Sequence, residues 1–284
     1  MLILYIILFI LTLIDPNLSK SLVISTTTTF FNNLYPILFP GMIQLDLINN
    51  SYYYELFLLK SYKFYNKIFH FNSPLTLNLI IISILLGSPS STYIIINSIK
   101  NNLISKEEGY NIIYSFSTLS ISYTIYILRL NNINIFLYLF LNILISFLLF
   151  KHNKGTNVEL NYIPQKQIQI SLIKNSILNA FKVLFTILGM CIFFSYIQNL
   201  IEYKKISPYI EIMTGLVELN KINIESTIEK TLLVVSSLVF SGISIIFQII
   251  ALDENISIFH LLKNKIIAAL AITLLFFLYI TLTV

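Results

Sequence analysis

The chain has 284 residues, of which 56% are hydrophobic and 14% aromatic. Only 11% are charged, against about a quarter in an ordinary soluble domain. With a mean hydropathy of +0.81 and apolar runs along the whole chain, this composition excludes a disordered chain, a coiled coil and a secreted disulfide scaffold. It predicts an all-α, polytopic membrane protein whose outer solvent is the lipid bilayer. The net charge of +5 indicates cytoplasmic loops rather than a nucleic-acid partner.

Taken in chain order, the first fourteen residues are apolar and lack a basic region or a small-residue cleavage site, so we expect a retained N-terminal membrane helix, bounded as residues 1–21. The run over residues 22–48 is long enough to span, but Pro36 and Pro40 interrupt it, since a proline inside a helix removes a backbone hydrogen bond. The next run, residues 75–99, is divided at residues 87–91 into two halves that are each too short to span. If this segment enters the membrane and returns, the lysines on its two sides face the same compartment.

Two complete spans are predicted next, at residues 111–130 and 133–150, separated by the turn signal Asn131–Asn132. The first of these spans carries a dense cluster of hydroxyl side chains. Residues 151–174 contain four lysines and one glutamate and form the most polar connection, which we place in the cytoplasm. This linker separates a first repeat, residues 22–150, from a second repeat, residues 175–284.

The second repeat follows the same order as the first. A long helix is predicted at residues 175–201, then a short segment at 207–220 that is led by a proline and broken near Gly215. An apolar run at 231–252 is interrupted at Ser241–Gly242, and a closing helix covers 259–284. The two halves thus form a weak internal two-fold repeat with broken or re-entrant helices, offset by roughly 150 to 170 residues.

Matched interruptions in two halves are the best sequence pointer to a transporter-type binding site, because non-helical backbone at membrane depth must be buried in protein or line a polar cavity. We therefore expect a substrate-binding site assembled from both halves. The first half contributes Gly87, Ser88, Pro89, Ser90, Ser117 and Thr118. The second half contributes Asn179, Glu218, Asn220, Ser241, Gly242, Ser244 and Gln248.

Glu218 is the expected centre of this site, because an ionisable group at membrane depth is expensive and functional by default. The alternative is an interfacial glutamate beside Lys221. The small hydroxyl side chains likewise have an alternative role, which is to hold helices together.

The three histidines stand singly, so no metal site is predicted. Nucleotide-binding and hydrolase motifs are absent, so we expect no cofactor and no enzymatic activity.

Four stretches in this order carry a family resemblance. They are residues 30–48 (FFNNLYPILFPGMIQLDLI), 85–116 with its Gly-x-Pro motif and ISKEE turn, 176–195 with the pair Asn179-Ala180, and the motifs TGLVELN and SGISIIFQ at 214–220 and 241–248. Together they resemble the sporulation integral membrane proteins of the YlbJ type, within the nucleoside-recognition or gate domain superfamily. The resemblance implies a multi-pass protein of the cytoplasmic membrane, connected with spore cortex formation and related to parts of nucleoside and iron transporters.

Three functions remain open from the sequence. The leading one is the binding or translocation of a small polar solute, either nucleoside-like or an ion. The second is a non-transporting scaffold for envelope or spore assembly, which holds a membrane partner or a second copy of the chain. The third, which composition alone also fits, is an organelle-encoded subunit of a respiratory complex.

Overall fold

A computed structural model describes residues 15–49, 60, 62, 73, 75–150 and 170–283. Within these residues all regular elements are helical. Three helical segments are long and apolar enough to cross a membrane, namely Ile170–Asn199, Thr227–Leu252 and Ile258–Leu282. This is the architecture of a multi-pass helical membrane protein. The helix predicted in the first fourteen residues lies outside the described residues, as do most of the connection at 49–73 and the linker as far as residue 169.

The N-terminal described helix changes its pitch instead of breaking at its prolines. Its parts are α1 (Pro16–Thr29), a π-helical turn (Phe30–Leu34) and α2 (Tyr35–Asn49). The Asp15 side chain caps α1 by accepting a hydrogen bond from the Leu18 nitrogen at 2.9 Å. Pro40 lies inside α2, and the wider turn before it brings the Tyr35 N–H to the Phe30 carbonyl, five residues back. The predicted interruption of the 22–48 run is therefore a π-helical turn.

Helices α3 (Leu75–Leu86) and α4 (Ser90–Lys100) form a helical hairpin. The Ser73 hydroxyl, just before α3, donates to the Leu103 carbonyl, just after α4, at 3.3 Å. The two ends are thus adjacent, and the chain reverses at a tip formed by residues 87–89. This confirms the interruption that the sequence predicts.

The continuous helix predicted at residues 111–130 is wrong, because the structure divides it. It consists of α5 (Lys106–Phe116) and α6 (Ile121–Leu130), joined by four non-helical residues. The Ser120 hydroxyl caps α6 by accepting from the Tyr123 nitrogen at 3.4 Å. Hydroxyl side chains can hydrogen-bond to nearby backbone groups in place of the helical partners, so the hydroxyl cluster lies at an interruption of the helix and not along a continuous one. After the predicted turn at residues 131–132, α7 (Ile135–Leu149) returns.

The second half begins with a long helix followed by a tight reversal. Its elements are α8 (Ile170–Asn199), a 3₁₀ turn (Lys204–Ile206), α9 (Ser207–Ile210) and α10 (Ile212–Lys221). The predicted break near Gly215 is wrong, since Gly215 lies inside α10 and packs closely on Pro208, where an added Cβ would lie 2.5 Å from the proline Cα. The break is at Glu211, whose backbone is extended, so the chain reverses there and forms a second tip.

The last part of the chain is a second interrupted helix and a long closing helix. These are α11 (Thr227–Phe240), α12 (Ile243–Leu252) and α13 (Ile258–Thr283). Ser241 and Gly242 both have positive φ, +68° and +80°, which confirms the predicted interruption. Helix α13 packs against α11, α7 and α5, whereas α8 packs against α1, α2 and α12. The interruptions therefore lie in the interior between these two groups of helices.

Candidate functional site

A single cavity lies where four helix interruptions meet, which we call the central cavity. The two hairpin tips and the two interrupted helices contribute Ser88, Pro89, Leu119, Ser120, Glu211, Ile212, Ile245 and Gln248. Apolar side chains of the π-helical turn, α2 and α8, among them Leu34, Leu38 and Ile187, close its remaining side. The volume of the central cavity is about 30 Å³. A single water needs roughly 10 to 15 Å³ on the same measure, so the cavity holds a water or two or one small ion.

Backbone contacts hold the tips against the interruptions. The Ser88 N–H donates to the Thr118 carbonyl at 2.7 Å, which joins the first tip to the α5–α6 interruption. At the second tip, a Cβ added to Gly242 would lie 3.2 Å from the Ile212 nitrogen. Residues with a small side chain or none at these points permit the close approach that brings the four segments together.

Glu211 is the charged side chain of the central cavity and is only 1% exposed. Its Oε2 accepts from the Thr214 nitrogen at 2.6 Å and contacts the Thr214 hydroxyl at 2.7 Å. The Cys191 thiol lines the same cavity. A carboxylate can be buried among apolar groups only with hydrogen-bond partners, which here come from Thr214 on the helix that Glu211 caps.

Gln248 places an amide beside the same thiol. Its Nε2 lies 3.8 Å from Cys191 Sγ, and the side chain is 2% exposed. The Gln248 Oε1 has no hydrogen-bond partner among the described residues, and neither have the buried hydroxyls of Ser90 and Ser244. A buried acceptor without a partner costs about 1 to 3 kcal/mol. Of these three residues, Gln248 lines the central cavity, so its oxygen is available to a molecule that enters it.

Several of the predicted site residues are brought together here. Ser88, Pro89 and Gln248 line the central cavity. Gly87, Ser90, Thr118, Gly242 and Ser244 belong to the tips, the interruptions or the first turns beside them. Ser117 and Ser241 end the helices α5 and α11 and lie around a buried lysine, Lys265.

Glu218, the expected centre, lines a different cavity. Its Oε1 accepts from Lys221 Nζ at 2.9 Å. Glu218 lines a lateral cavity together with Lys204, Gln198 and Thr214, and the volume of this cavity is about 100 Å³. The remaining predicted residues belong to neither cavity, since Asn220 is exposed and Asn179 is half-buried on α8.

Sequence reasoning missed Glu211 and Lys265. Glu211 has a signal that could have found it, because an acidic residue closely follows a proline in the short second-half segment SPYIEIMTG. Lys265 has none, since KNKIIAAL has the pattern of a helix end whose lysines extend to the membrane surface.

Within the described ranges, the acidic, histidine and cysteine side chains form no group of three that could hold a metal ion. What the central cavity offers is hydrogen-bond acceptors in a small apolar enclosure. Comparison with known proteins gave no match, whether to a family model, to a curated protein or to a solved structure.

Proposed function

We propose that the chain binds a small polar solute or an ion in the central cavity and carries it across the cytoplasmic membrane, as a protein of the nucleoside-recognition or gate type. The observation that supports this proposal is the buried pair Glu211 and Gln248, placed where four helix interruptions meet. The carboxylate and the unpartnered amide oxygen both accept hydrogen bonds. The favoured solute is therefore a hydrogen-bond donor, such as a small cation or an amide or amine group of a nucleobase.

The order of the helices supports an inverted repeat. Each half has a hairpin, an interrupted helix and a closing helix, which are α3–α4, α5–α6 and α7 in the first half and α9–α10, α11–α12 and α13 in the second. Tyr110, near the start of α5, donates to Asp253, at the end of α12, at 2.7 Å. The two interrupted helices thus run antiparallel, as expected if the halves have opposite orientations in the membrane.

In this arrangement the hairpins are re-entrant and enter from opposite faces. Helix α3 has 12 residues and is about 18 Å long, against roughly 30 Å of hydrocarbon. Hairpins of this length bring their tips together near the membrane midplane. Discontinuous helices of secondary transporters bind their substrates at this depth. The lysines Lys100 and Lys106 at the base of the first hairpin favour a cytoplasmic position for that face.

A second candidate is a non-transporting scaffold for envelope or spore assembly. The observation that favours it is the size of the central cavity, whose volume is about 30 Å³. This space admits water or an ion, but it admits a nucleoside only if the hairpin tips separate. A scaffold needs no such separation. The two candidates therefore differ in whether any solute stabilises the protein.

The test is the thermal stability of the detergent-purified chain with a panel of nucleosides, nucleobases, amino acids and ions. A compound present at a hundred times its dissociation constant adds about 2.7 kcal/mol to the stability of the folded protein. We expect the shift to disappear in Glu211→Gln and to persist in Glu218→Gln, which makes the same change on the same helical segment but in the lateral cavity.

The outcomes separate the candidates. A shift that is lost in Glu218→Gln and kept in Glu211→Gln would assign the solute to the lateral cavity and contradict our proposal. An equal shift in all three proteins would place the ligand at neither glutamate. Stability that no compound changes would favour the scaffold, and partner capture from membranes would then follow.

A further inference from the structure

Lys265 is a buried lysine on the closing helix α13, and it points into the protein. Its side chain is 4% exposed, and Nζ donates to the Ser117 carbonyl at 2.5 Å and to the Ser241 hydroxyl at 3.2 Å. In the part of the chain that the structure describes, the ion pairs found are Lys205–Glu229 and Lys221–Glu218, so no carboxylate pairs with this amine. A charged group inside a membrane protein without an acidic partner needs another source of stabilisation.

The two acceptors are both at helix C-terminal ends. Ser117 is the C-terminal cap residue of α5, and Ser241 is that of α11. The last carbonyls of a helix lack intrahelical partners, and the aligned peptide dipoles give this end a partial negative charge. Two such ends converge on one nitrogen, one from each interrupted helix. This environment stabilises a cation and repels an anion, so the amine is not placed there to recruit an anionic ligand.

Carbonyls of unwound helix and half-helix C-terminal ends are also the groups with which ion-coupled transporters bind Na⁺. Further oxygen atoms lie close by, because a small cavity beside Lys265 is lined by Ser115, Asn142 and Ser146. The amine thus lies among oxygen-bearing groups, which are the kind of ligand that hard cations prefer.

We propose that this is a monovalent-cation site that the chain fills with its own amine. Lys265 stands where a mobile ion would otherwise bind, and it fixes the α5–α6 interruption to the α11–α12 interruption. The intact protein therefore requires neither Na⁺ nor K⁺ to hold these helices together, and truncating the side chain opens a site that Na⁺, K⁺ or methylammonium can occupy. This inference concerns a place outside the central cavity and does not depend on which solute that cavity binds.

The test uses the full chain in detergent, with choline chloride replaced by NaCl, KCl or methylammonium chloride at constant ionic strength. The melting temperature of the wild type in each salt is the baseline, because a small cation bound in the central cavity stabilises the wild type and the Lys265 variants alike. Lys265→Ala should melt lower in choline and recover by roughly 3 to 6 °C when a small cation reaches about ten times its dissociation constant. Choline is too large to enter the space left by the side chain.

Two further variants make the test specific. Lys265→Met removes the charge but fills the space, so it should melt lower than the wild type and gain no more from small cations than the wild type does. Lys263→Ala makes the alanine change at an exposed lysine of the same helix and should behave as the wild type. If Lys265→Ala does not survive purification in choline, the folded yield after solubilisation in each salt is the readout, and recovery in the small-cation salts gives the same support.

Four results would overturn the proposal. They are a Lys265→Ala protein as stable as the wild type, one that no small cation restores, a Lys265→Met protein that recovers equally, and a wild type that Na⁺ or K⁺ stabilises over choline as much as they stabilise Lys265→Ala.

Discussion

A Cβ atom added to Gly87 would lie 2.1 Å from the backbone nitrogen of Ser120. The glycine also has a φ of +68°, in the left-handed region that side chains disfavour. Contact and conformation therefore both require glycine at the first hairpin tip. This approach places the tip directly on the interruption between α5 and α6, and so forms one wall of the central cavity.

Gly87→Ala should consequently lower the stability of the folded protein by about 2 to 4 kcal/mol, from backbone strain together with overpacking against Ser120. Gly189→Ala is the control, because a Cβ there would meet nothing within 4 Å and the position lies inside helix α8. That change should be neutral or stabilise by up to about 1 kcal/mol. Equal loss of stability in the two variants, measured by thermal unfolding in detergent, would contradict the packing described for the first tip.

Tyr110→Phe should destabilise the protein by about 1 kcal/mol, because it removes the hydroxyl that donates to Asp253 at 2.7 Å and leaves the carboxylate without that donor. The bond joins the two halves of the chain. Tyr126→Phe makes the same change on an exposed side chain of α6 and should have an effect below about 0.5 kcal/mol. If both variants unfold at the wild-type temperature, the Tyr110–Asp253 contact contributes nothing to holding the halves together.

Thr214→Val should cost about 1 to 3 kcal/mol, since it removes the hydroxyl between the Glu211 and Gln198 side chains, which leaves the buried Gln198 oxygen without that donor and the Glu211 carboxylate with one donor fewer. The methyl group of valine fills the same volume, so packing is kept. Thr186→Val is the matched control, because the hydroxyl of Thr186 binds only the Lys182 carbonyl of its own exposed turn. Chemical unfolding of the two variants side by side would reveal the difference, and its absence would argue against a role for Thr214 in supporting Glu211.

Labelling of single cysteines should test the arrangement of the helices across the membrane. The native Cys191 is buried and should not react with an impermeant maleimide. Because Tyr110 contacts Asp253, cysteines at the nearby exposed positions Asn101 and Glu254 should be labelled from one side. Cysteines at Arg129 and Glu225, at the far ends of the interrupted helices, should be labelled from the other. Labelling of Glu254 and Glu225 positions from the same side would exclude a spanning α11–α12 segment.

The sequence predicted those interruptions that consist of residues unable to continue a helix. Gly87 and Pro89, and likewise the Ser241–Gly242 pair, stand out within apolar runs because of their backbone properties. The interruption at residues 117–120 could not be found in this way, since serine and threonine are compatible with a helix. Whether they end one depends on a distant partner, here the Ser88 N–H that donates to the Thr118 carbonyl.

The same limit applies to the charged residues of the site. Glu211 and Glu218 lie on one short segment, and periodicity alone does not say which of them faces the interior. That choice is made by the packing of Gly215 on Pro208, which reverses the chain at Glu211 and turns Glu218 towards the lateral cavity. Lys265 is buried through contacts with residues that are 148 and 24 positions away, which no local pattern reveals.

The Thr214 hydroxyl has one hydrogen but two oxygen neighbours at 2.7 Å, Glu211 Oε2 and Gln198 Oε1. Each contact needs a donor, so the protonation state of Glu211 limits how the three groups can be arranged. If Glu211 is ionised, Thr214 donates to it and the Gln198 amide turns over to present its NH₂ group. If Glu211 is protonated, it can itself donate to Thr214, and Thr214 can then donate to the Gln198 oxygen. Loss of one proton in the central cavity therefore requires an amide in the wall of the lateral cavity to present its NH₂ group, so a single hydroxyl couples the two spaces.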